Sequence, residues 1–321
     1  MKAICRDNYG GPEIIEIREV EKPQPKEKEI LVRVYATTVN RTDEGVLLGK
    51  PKIFRLFTGI STPRHATLGT DFAGIIEAVG SEVTRYKVGD RVWGFSDSGH
   101  PTQAEYTCFP EKGNLAKIPD DWDYTSIVAF AEGAHYARNF LNKVDFKSAE
   151  KILVYGATGA IGSAMVQMLK YEGIPFDAVC AGKDVALIKS LGADKVIDYQ
   201  TADFTSEGKK YNFVFDAVGK SNFGTCKKVL KDKGVYISSE LGPGNENLYL
   251  PITTMFSNQK VSFPFPVDVS RSLAYVLEMI NAGAFMPVIE KIYPYTEAVA
   301  AYKHMLSQQK VGNVVLDFSR G

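Results

Sequence analysis

Residues 151–170, KILVYGATGAIGSAMVQMLK, constrain what this chain can fold into more than any other stretch. Ile152 to Tyr155 is apolar on both faces, as a strand must be when helices cover both sides of its sheet. Glycines then stand at 156, 159 and 162, and apolar residues at Ile161, Met165, Met168 and Leu169 mark the buried stripe of a helix that begins at once. Gly156 lets the chain reverse off the strand, Gly159 lets backbone amides approach a pyrophosphate, and Gly162 lets helix and strand pack closely. Phosphates are favoured at the helix N-terminus by its unpaired N–H groups and its dipole. The pattern predicts a dinucleotide-binding turn, with Gly156, Thr158, Gly159, Ala160, Ile161 and Gly162 lining the cofactor site. The spacing is GxxGxxG rather than GxGxxG, and glycine-rich turns also occur without a ligand, so the flanking pattern has to carry part of the argument.

That pattern is an alternation of helix and strand. It predicts a helix near 126–142, strand 151–155, helix 160–171, strand 176–181, helix 185–191 and strand 195–197. Strand 213–217, a helix near 222–230 and strand 234–239 continue it, which implies a doubly wound parallel sheet. The first 120 residues differ: strands over 30–36, 72–79 and 91–95 are separated by Gly, Pro and Asp turns, with no βαβ rhythm. After Pro251 the pattern is mixed, with strand 260–265, helices 270–282 and 296–306, and strand 313–318. The expected division is a β-rich substrate domain from 1–122 and 266–321, and a nucleotide domain from 123–265.

Composition narrows the function class. The chain has 321 residues, 45% hydrophobic and 24% charged, enough for two domains with cores. Lys plus Arg and Asp plus Glu are 38 each, so no net charge steers it to nucleic acid or an anionic membrane. The first residues, MKAICRDNYGG, lack the apolar core of a signal peptide, and no apolar run reaches membrane-spanning length. Cys5, Cys108, Cys180 and Cys226 form no CxxC pair and read as packed thiols. The expectation is a cytoplasmic protein acting on a small molecule.

Several further runs follow a recognisable order: Asn40-Arg41-Thr42-Asp43, Leu68-Gly69-Thr70-Asp71-Phe72-Ala73-Gly74, Val88-Gly89-Asp90-Arg91-Val92, the glycine turn, Leu191-Gly192-Ala193-Asp194, Phe215-Asp216-Ala217-Val218-Gly219 and Val311-Gly312-Asn313-Val314-Val315-Leu316. Together they resemble the medium-chain dehydrogenase/reductase superfamily, specifically its zinc-free quinone oxidoreductase-like branch. The resemblance implies an α/β fold, a Rossmann domain beside a β-rich GroES-like catalytic domain, and a homodimer, for which 260–265 is a suitable edge strand. Zinc-dependent relatives carry Cys-His-Thr-Asp where this chain has Asn40-Arg41-Thr42-Asp43, and Gly-His-Glu where it has Gly69-Thr70-Asp71. Both ligand positions are lost, and no metal site is expected.

The second strand of the nucleotide fold ends Cys180-Ala181-Gly182-Lys183, without the carboxylate that accepts the ribose hydroxyls of NAD. Gly182 and Lys183 suit a 2′-phosphate, and the resemblance implies that Tyr199 flanks it, so NADP(H) is expected over NAD(H). A solvated surface lysine is the plain alternative for Lys183. Strand ends place Val218, Gly219, Ser238 and Leu241 at the cofactor, and the resemblance adds Phe263 and Phe265 near the nicotinamide and Asn313 in the C-terminal run. The Phe-Pro-Phe segment reads equally as core.

Without a Lewis acid, hydride delivery needs hydrogen-bond donors at a developing oxyanion and an apolar wall against the nicotinamide. Asn40 is the first candidate donor, with turn stabilisation as its alternative. The segment Phe130-Ala131-Glu132-Gly133-Ala134-His135-Tyr136-Ala137 departs from the family, which commonly has a Gly-Leu-Thr-Ala run there, and Tyr136 is read as standing in the threonine's place. It could return a proton, or pack with His135 on a buried helix. Asp43 supports the Asn40 loop. The loop over 44–67, with Leu47, Phe54, Phe57 and Ile60, is expected to wall the substrate, while Lys50, Lys52, Arg55 and Arg64 leave room for an anionic tail. The expected reaction is NADPH-dependent, zinc-independent reduction of a quinone or α,β-unsaturated carbonyl compound. Reduction of saturated ketones, aldehydes or enoyl thioesters, and a non-catalytic NADPH-binding sensor or structural protein, remain the competing readings.

Overall fold

The computed structural model describes every residue except 53, 54, 97, 98, 266, 308, 320 and 321, and does not describe the side chain of Phe57. Two compact units emerge: Met1–Glu132 with Val269–Ala274 and Pro287–Gly321, and Gly133–Asp268 with Tyr275–Met286.

The first unit opens with an antiparallel pair, β1 (Lys2–Cys5) and β2 (Glu16–Glu19). There follow β3 (Glu29–Val39), β4 (Asp71–Val79), β5 (Arg91–Phe95), β6 (Tyr106–Pro110) and β7 (Leu115–Lys117). In the second unit β8 (Ile152–Tyr155), β9 (Phe176–Cys180), β10 (Lys195–Asp198), β11 (Tyr211–Asp216), β12 (Leu230–Ser238) and β13 (Lys260–Ser262) lie in the order β10-β9-β8-β11-β12-β13, every neighbour parallel. The chain then supplies β14 (Ile289–Pro294) and β15 (Asn313–Asp317) to the first unit, whose sheet runs β14-β15-β3-β4-β5-β7 with β6 paired to β3.

The order of the parallel sheet follows from its sequence. Each strand is followed by a crossover that must turn right-handed, and the direction of winding reverses once, between β8 and β11. Ligands of such sheets bind outside the carboxyl ends of the strands at that reversal. Ile152, Leu153 and Val154 are fully buried, and helix Ala160–Tyr171 buries every residue from Ile161 to Leu169. Apolar burial of this kind stabilises by about 2 kcal/mol per large side chain.

Four sequence expectations are corrected. The helix near 126–142 is two, Tyr124–Val128 and Glu132–Leu141, because Phe130 and Ala131 donate to carbonyls only three residues back. The helix near 222–230 shrinks to Phe223–Cys226, and β12 takes over from Leu230. The strand over 260–265 ends at Ser262. The supposed loop after Asn40 is helix Arg41–Leu48, closed by Gly49 in the left-handed conformation at φ 58°. Leu47 is therefore fully buried in a core with Ile4, Val39, Leu68 and Tyr302, and not free to wall a substrate.

Candidate active site

The glycine turn is built on three different steric demands. Gly156 sits at φ 79°, and a Cβ there would lie 2.6 Å from Cγ1 of Val218. At Gly162 a Cβ would meet the carbonyl oxygen of Gly156 at 2.1 Å, so strand end and helix start can approach only through a glycine. Gly159 is different: its nearest atom would be 3.8 Å away, and the space in front of it is open. Gly159 caps helix Ala160–Tyr171 without a side-chain hydrogen bond, which leaves the first-turn N–H groups of Ala160, Ile161 and Gly162 to a ligand.

The neighbouring strand end is shaped by Asp216. Its buried carboxylate accepts from the N–H groups of Val218 (3.1 Å), Gly219 (2.7 Å) and Ser221 (3.1 Å) and from the Tyr236 hydroxyl (2.9 Å). Burial pushes its pKa up in spite of those donors. Gly219 takes φ 67°, and Ser238, at the end of β12, accepts from Glu240 N at 3.2 Å. Leu241 follows, its carbonyl accepting from Asn247 N. Thus Gly156, Thr158, Gly159, Ala160, Ile161, Gly162, Val218, Gly219, Ser238 and Leu241 gather at the carboxyl ends of β8, β11 and β12. Phe263 and Phe265 pack past β13 with their rings tilted at 56° and centroids 4.8 Å apart, and Phe265 is 57% exposed.

Gly182, Lys183 and Tyr199 lie at the ends of β9 and β10. Lys183 is exposed and makes no ion pair among the described residues, and Tyr199 is 55% exposed. Asp198 was not anticipated here: a Cβ on Gly182 would fall 2.5 Å from its Oδ2. That carboxylate already accepts from Gln200 N and the Thr201 hydroxyl.

In the first unit Asn40 is buried and caps helix Arg41–Leu48. Its Oδ1 accepts from Asp43 N at 2.9 Å while Asp43 Oδ2 accepts from Asn40 N at 3.1 Å, a reciprocal box. Its Nδ2 faces Thr70 Oγ1 (2.8 Å), Thr38 Oγ1 (3.0 Å) and Asp71 Oδ2 (3.3 Å). Asp71 also accepts from Thr38 N, Thr38 Oγ1 and Thr37 Oγ1 at 2.5–3.0 Å. The result is a buried acidic cluster. Burial, reinforced by the charge of Asp71, raises Asp43 well above the usual carboxylate range, and burial raises Asp71 as well.

Glu132 belongs to the same unit and was given no role by the sequence reading. Its Oε1 accepts from Thr42 N (3.3 Å) and Thr42 Oγ1 (3.2 Å). Burial pushes it up to about 7, with Lys310 opposing and Asp71 adding to the shift. The available signal was a lone carboxylate in the apolar run Ile127-Val128-Ala129-Phe130-Ala131. Asn313, also in this unit, donates from Nδ2 to Val288 O at 3.0 Å.

Tyr136 and His135 occupy helix Glu132–Leu141, which approaches the glycine turn: a Cβ on Gly133 would lie 2.9 Å from the carbonyl of Ala160. His135 is fully buried with Nε2 3.1 Å from Asn139 Nδ2, and Tyr136 is half-buried with its ring edge-on to His135 at 5.5 Å. Of the proposed substrate residues, Phe54 lies outside the described residues, as does the side chain of Phe57.

Comparison with known proteins decides the family. Residues 26–120 match the alcohol dehydrogenase GroES-like domain, and residues 191–316 match the zinc-binding dehydrogenase model. The chain is 29% identical over 99% of its length to the chloroplastic quinone-oxidoreductase homolog of Spinacia oleracea, spanning 98% of that protein. It is 27% identical over 98% of its length to the chloroplastic NADPH-dependent alkenal/one oxidoreductase of Arabidopsis thaliana, spanning 79% of it. The solved quinone oxidoreductase of Coxiella burnetii superposes with a TM-score of 0.87 at 22% identity, over 99% of each chain. This chain belongs to the medium-chain dehydrogenase/reductase superfamily, in its quinone oxidoreductase-like branch.

As a member of that superfamily it combines a GroES-like domain with a Rossmann-type sheet. Where the zinc-dependent members were read to place ligands, it presents Asn40 and Thr70 hydrogen-bonded to each other. Among the described residues no group of three or more His, Cys, Asp or Glu side chains could hold a metal ion. The dinucleotide does fit the residues present: open space before Gly159, unsatisfied amides behind it, and an exposed lysine at the end of β9. No described helix is long and apolar enough to cross a membrane.

Proposed function

We propose that this chain is an NADPH-dependent oxidoreductase that reduces a quinone or an α,β-unsaturated carbonyl compound without zinc. The observation that carries the reading is the glycine turn at the reversal point of the parallel sheet, with Gly156 and Gly162 sterically obligatory and Gly159 open. Relatives along the whole chain named as quinone and alkenal/one oxidoreductases support it.

NADPH supplies the hydride when bound. The first-turn amides of Ala160, Ile161 and Gly162 hold its pyrophosphate, Lys183 neutralises the 2′-phosphate, and Tyr199 and Gly182 flank it. Val218, Gly219, Ser238, Leu241, Phe263 and Phe265 form the remaining wall, and Asn313 is assigned to the cofactor by the family pattern. Asn40 acts by fixing Thr38, Thr70 and Asp71, since its amide is already committed to them. Asp43 locks Asn40, His135 backs Tyr136, and the half-buried Tyr136 phenol returns the proton to the reduced substrate. Phe54 and Phe57 remain proposed substrate contacts. The proposed division of labour is a substrate domain over 1–122 and 266–321 and a cofactor domain over 123–265.

The proposed assembly is a homodimer, supported by the edge position of β13; light scattering should give twice the chain's mass, and a monomer would refute it. A reducing compartment such as the cytoplasm is proposed from the four free cysteines. The activity is tested by following NADPH oxidation with a panel of quinones, enals and enones. Turnover on at least one class is expected, Tyr136→Phe should slow it, and a silent panel would contradict the reading.

A further inference from the structure

A cavity of about 330 Å³ in the first unit is walled in part by Arg6, Thr58, Arg64, His65, Thr67 and His100. Among the described residues no Asp or Glu lines it. Arg6, immediately after β1, is 1% exposed. Its Nη1 donates to the carbonyls of His65 and Ala66 and its Nη2 to that of Val46 at 3.2 Å, while its buried Nε has no partner. No described carboxylate forms an ion pair with it; the adjacent Asp7 is turned onto Arg18, with both oxygens at 2.7 Å. Carbonyl dipoles and the Tyr9 ring, whose centroid is 5.8 Å from the guanidinium carbon, therefore face a buried guanidinium with no described carboxylate beside it. Such a charge is costly to keep inside a protein without a counter-ion.

Arg64 adds a second charge of the same sign to the wall. Arg64 and His65 are exposed, and among the described residues the Arg64 guanidinium makes only a long hydrogen bond, Nη2 to Leu56 O at 3.4 Å. The Thr58 and Thr67 hydroxyls make the wall beside them polar, the first bonded to the Tyr9 hydroxyl at 2.9 Å and the second 3.6 Å from Cys5 Sγ. Two guanidiniums over a hydroxyl-bearing wall match the acceptor geometry of a carboxylate or phosphate. If Arg6 were only a strut between the segment at 65–66 and helix Arg41–Leu48, nothing would call for an open volume or a second arginine. Gly69 also lines the cavity, and the next residue, Thr70, holds the amide of Asn40.

We propose that this cavity binds an anionic oxygen group, a carboxylate or phosphate, between Arg6 and Arg64. The group belongs either to a free anion or to the acidic tail of the reduced substrate, and only the second case rests on the proposed activity. Inorganic phosphate is titrated calorimetrically into the full chain with NADPH saturating, so that the cofactor's own phosphate sites are filled. In parallel, kcat/KM is compared for 3-benzoylacrylate and its methyl ester. Phosphate binding that weakens about tenfold in Arg64→Gln supports the site. If the occupant is a substrate tail, the acid is preferred over the ester by about tenfold, phosphate competes with the acid, and the preference collapses in Arg64→Gln. If it is a free anion, phosphate binds and the acid and ester react alike. Phosphate binding that Arg64→Gln leaves unchanged would overturn the proposal, and so would no phosphate binding together with equal acid and ester kinetics. Should neither substrate react, the titration still decides the cavity while the activity alone fails.

Discussion

At the scale of single residues, the three glycines of one turn answer to different constraints and should respond differently to the same methyl group. Gly162→Ala forces a Cβ against the Gly156 carbonyl, and overpacking of this kind costs about 3 kcal/mol. Gly159→Ala has room and should fold with nearly parental stability, yet weaken NADPH roughly tenfold because its methyl projects where the pyrophosphate sits. Urea denaturation and NADPH titration of both variants check this; equal stability losses would refute it. Glu132 makes a second residue-level test. Burial raises its carboxyl from 4.5 when solvated to about 7 in the fold. Between those values the folded state keeps a proton that the unfolded state has released, so stability falls as pH rises through the window. The penalty is complete above about pH 7 and amounts to about 3 kcal/mol at most. Glu132→Gln keeps an acceptor for Thr42 N and should flatten that slope between pH 4.5 and about 7; parallel urea midpoints for variant and parent would contradict it. Glu132 was illegible in the sequence because its shift depends on burial and on Lys310, far away in the chain. Asn40 was legible as a polar position, but its role depends on Thr70 and Asp71, which only the pairing of β3 with β4 brings near.

At the scale of elements, the parallel sheet was read well because its strands are short apolar runs between helices of the right period. Helix 160–171 and strand 91–95 agree to the residue. Helix Arg41–Leu48 carries its signals in the sequence: Asn40 and Asp43 at capping-box spacing, and a glycine just past its end. Such a cap is worth about 1 kcal/mol. The parallel pairing of β14 with β15 carries no signal, because β14 buries only Tyr293 and lacks a clean alternation. The strand end at Gly182-Lys183 supports one element-level prediction. Lys183→Glu should raise the KM for NADPH about tenfold by removing one charged contact and adding repulsion beside Asp198. Steady-state kinetics at varied NADPH read this directly, and an unchanged KM would remove Lys183 from the site.

At the scale of the whole molecule, two large sheets of different logic are made from one chain besides the β1–β2 pair, and the C-terminal segment returns to the unit where the N-terminal segment began. That return was expected from the mixed pattern after Pro251, although the exact exchange of segments depends on long-range contacts that periodicity does not encode. The account's central claim is that the glycine turn serves hydride transfer to a conjugated carbon and not storage of a nucleotide. Incubating the protein with NADPH deuterated at the transferred position and a simple enone, followed by mass spectrometry of the product, tests it most directly. The account predicts one deuterium at the β-carbon of a saturated ketone. Tight NADPH binding without deuterium in any product, or deuterium on the carbonyl carbon of an alcohol, would contradict it.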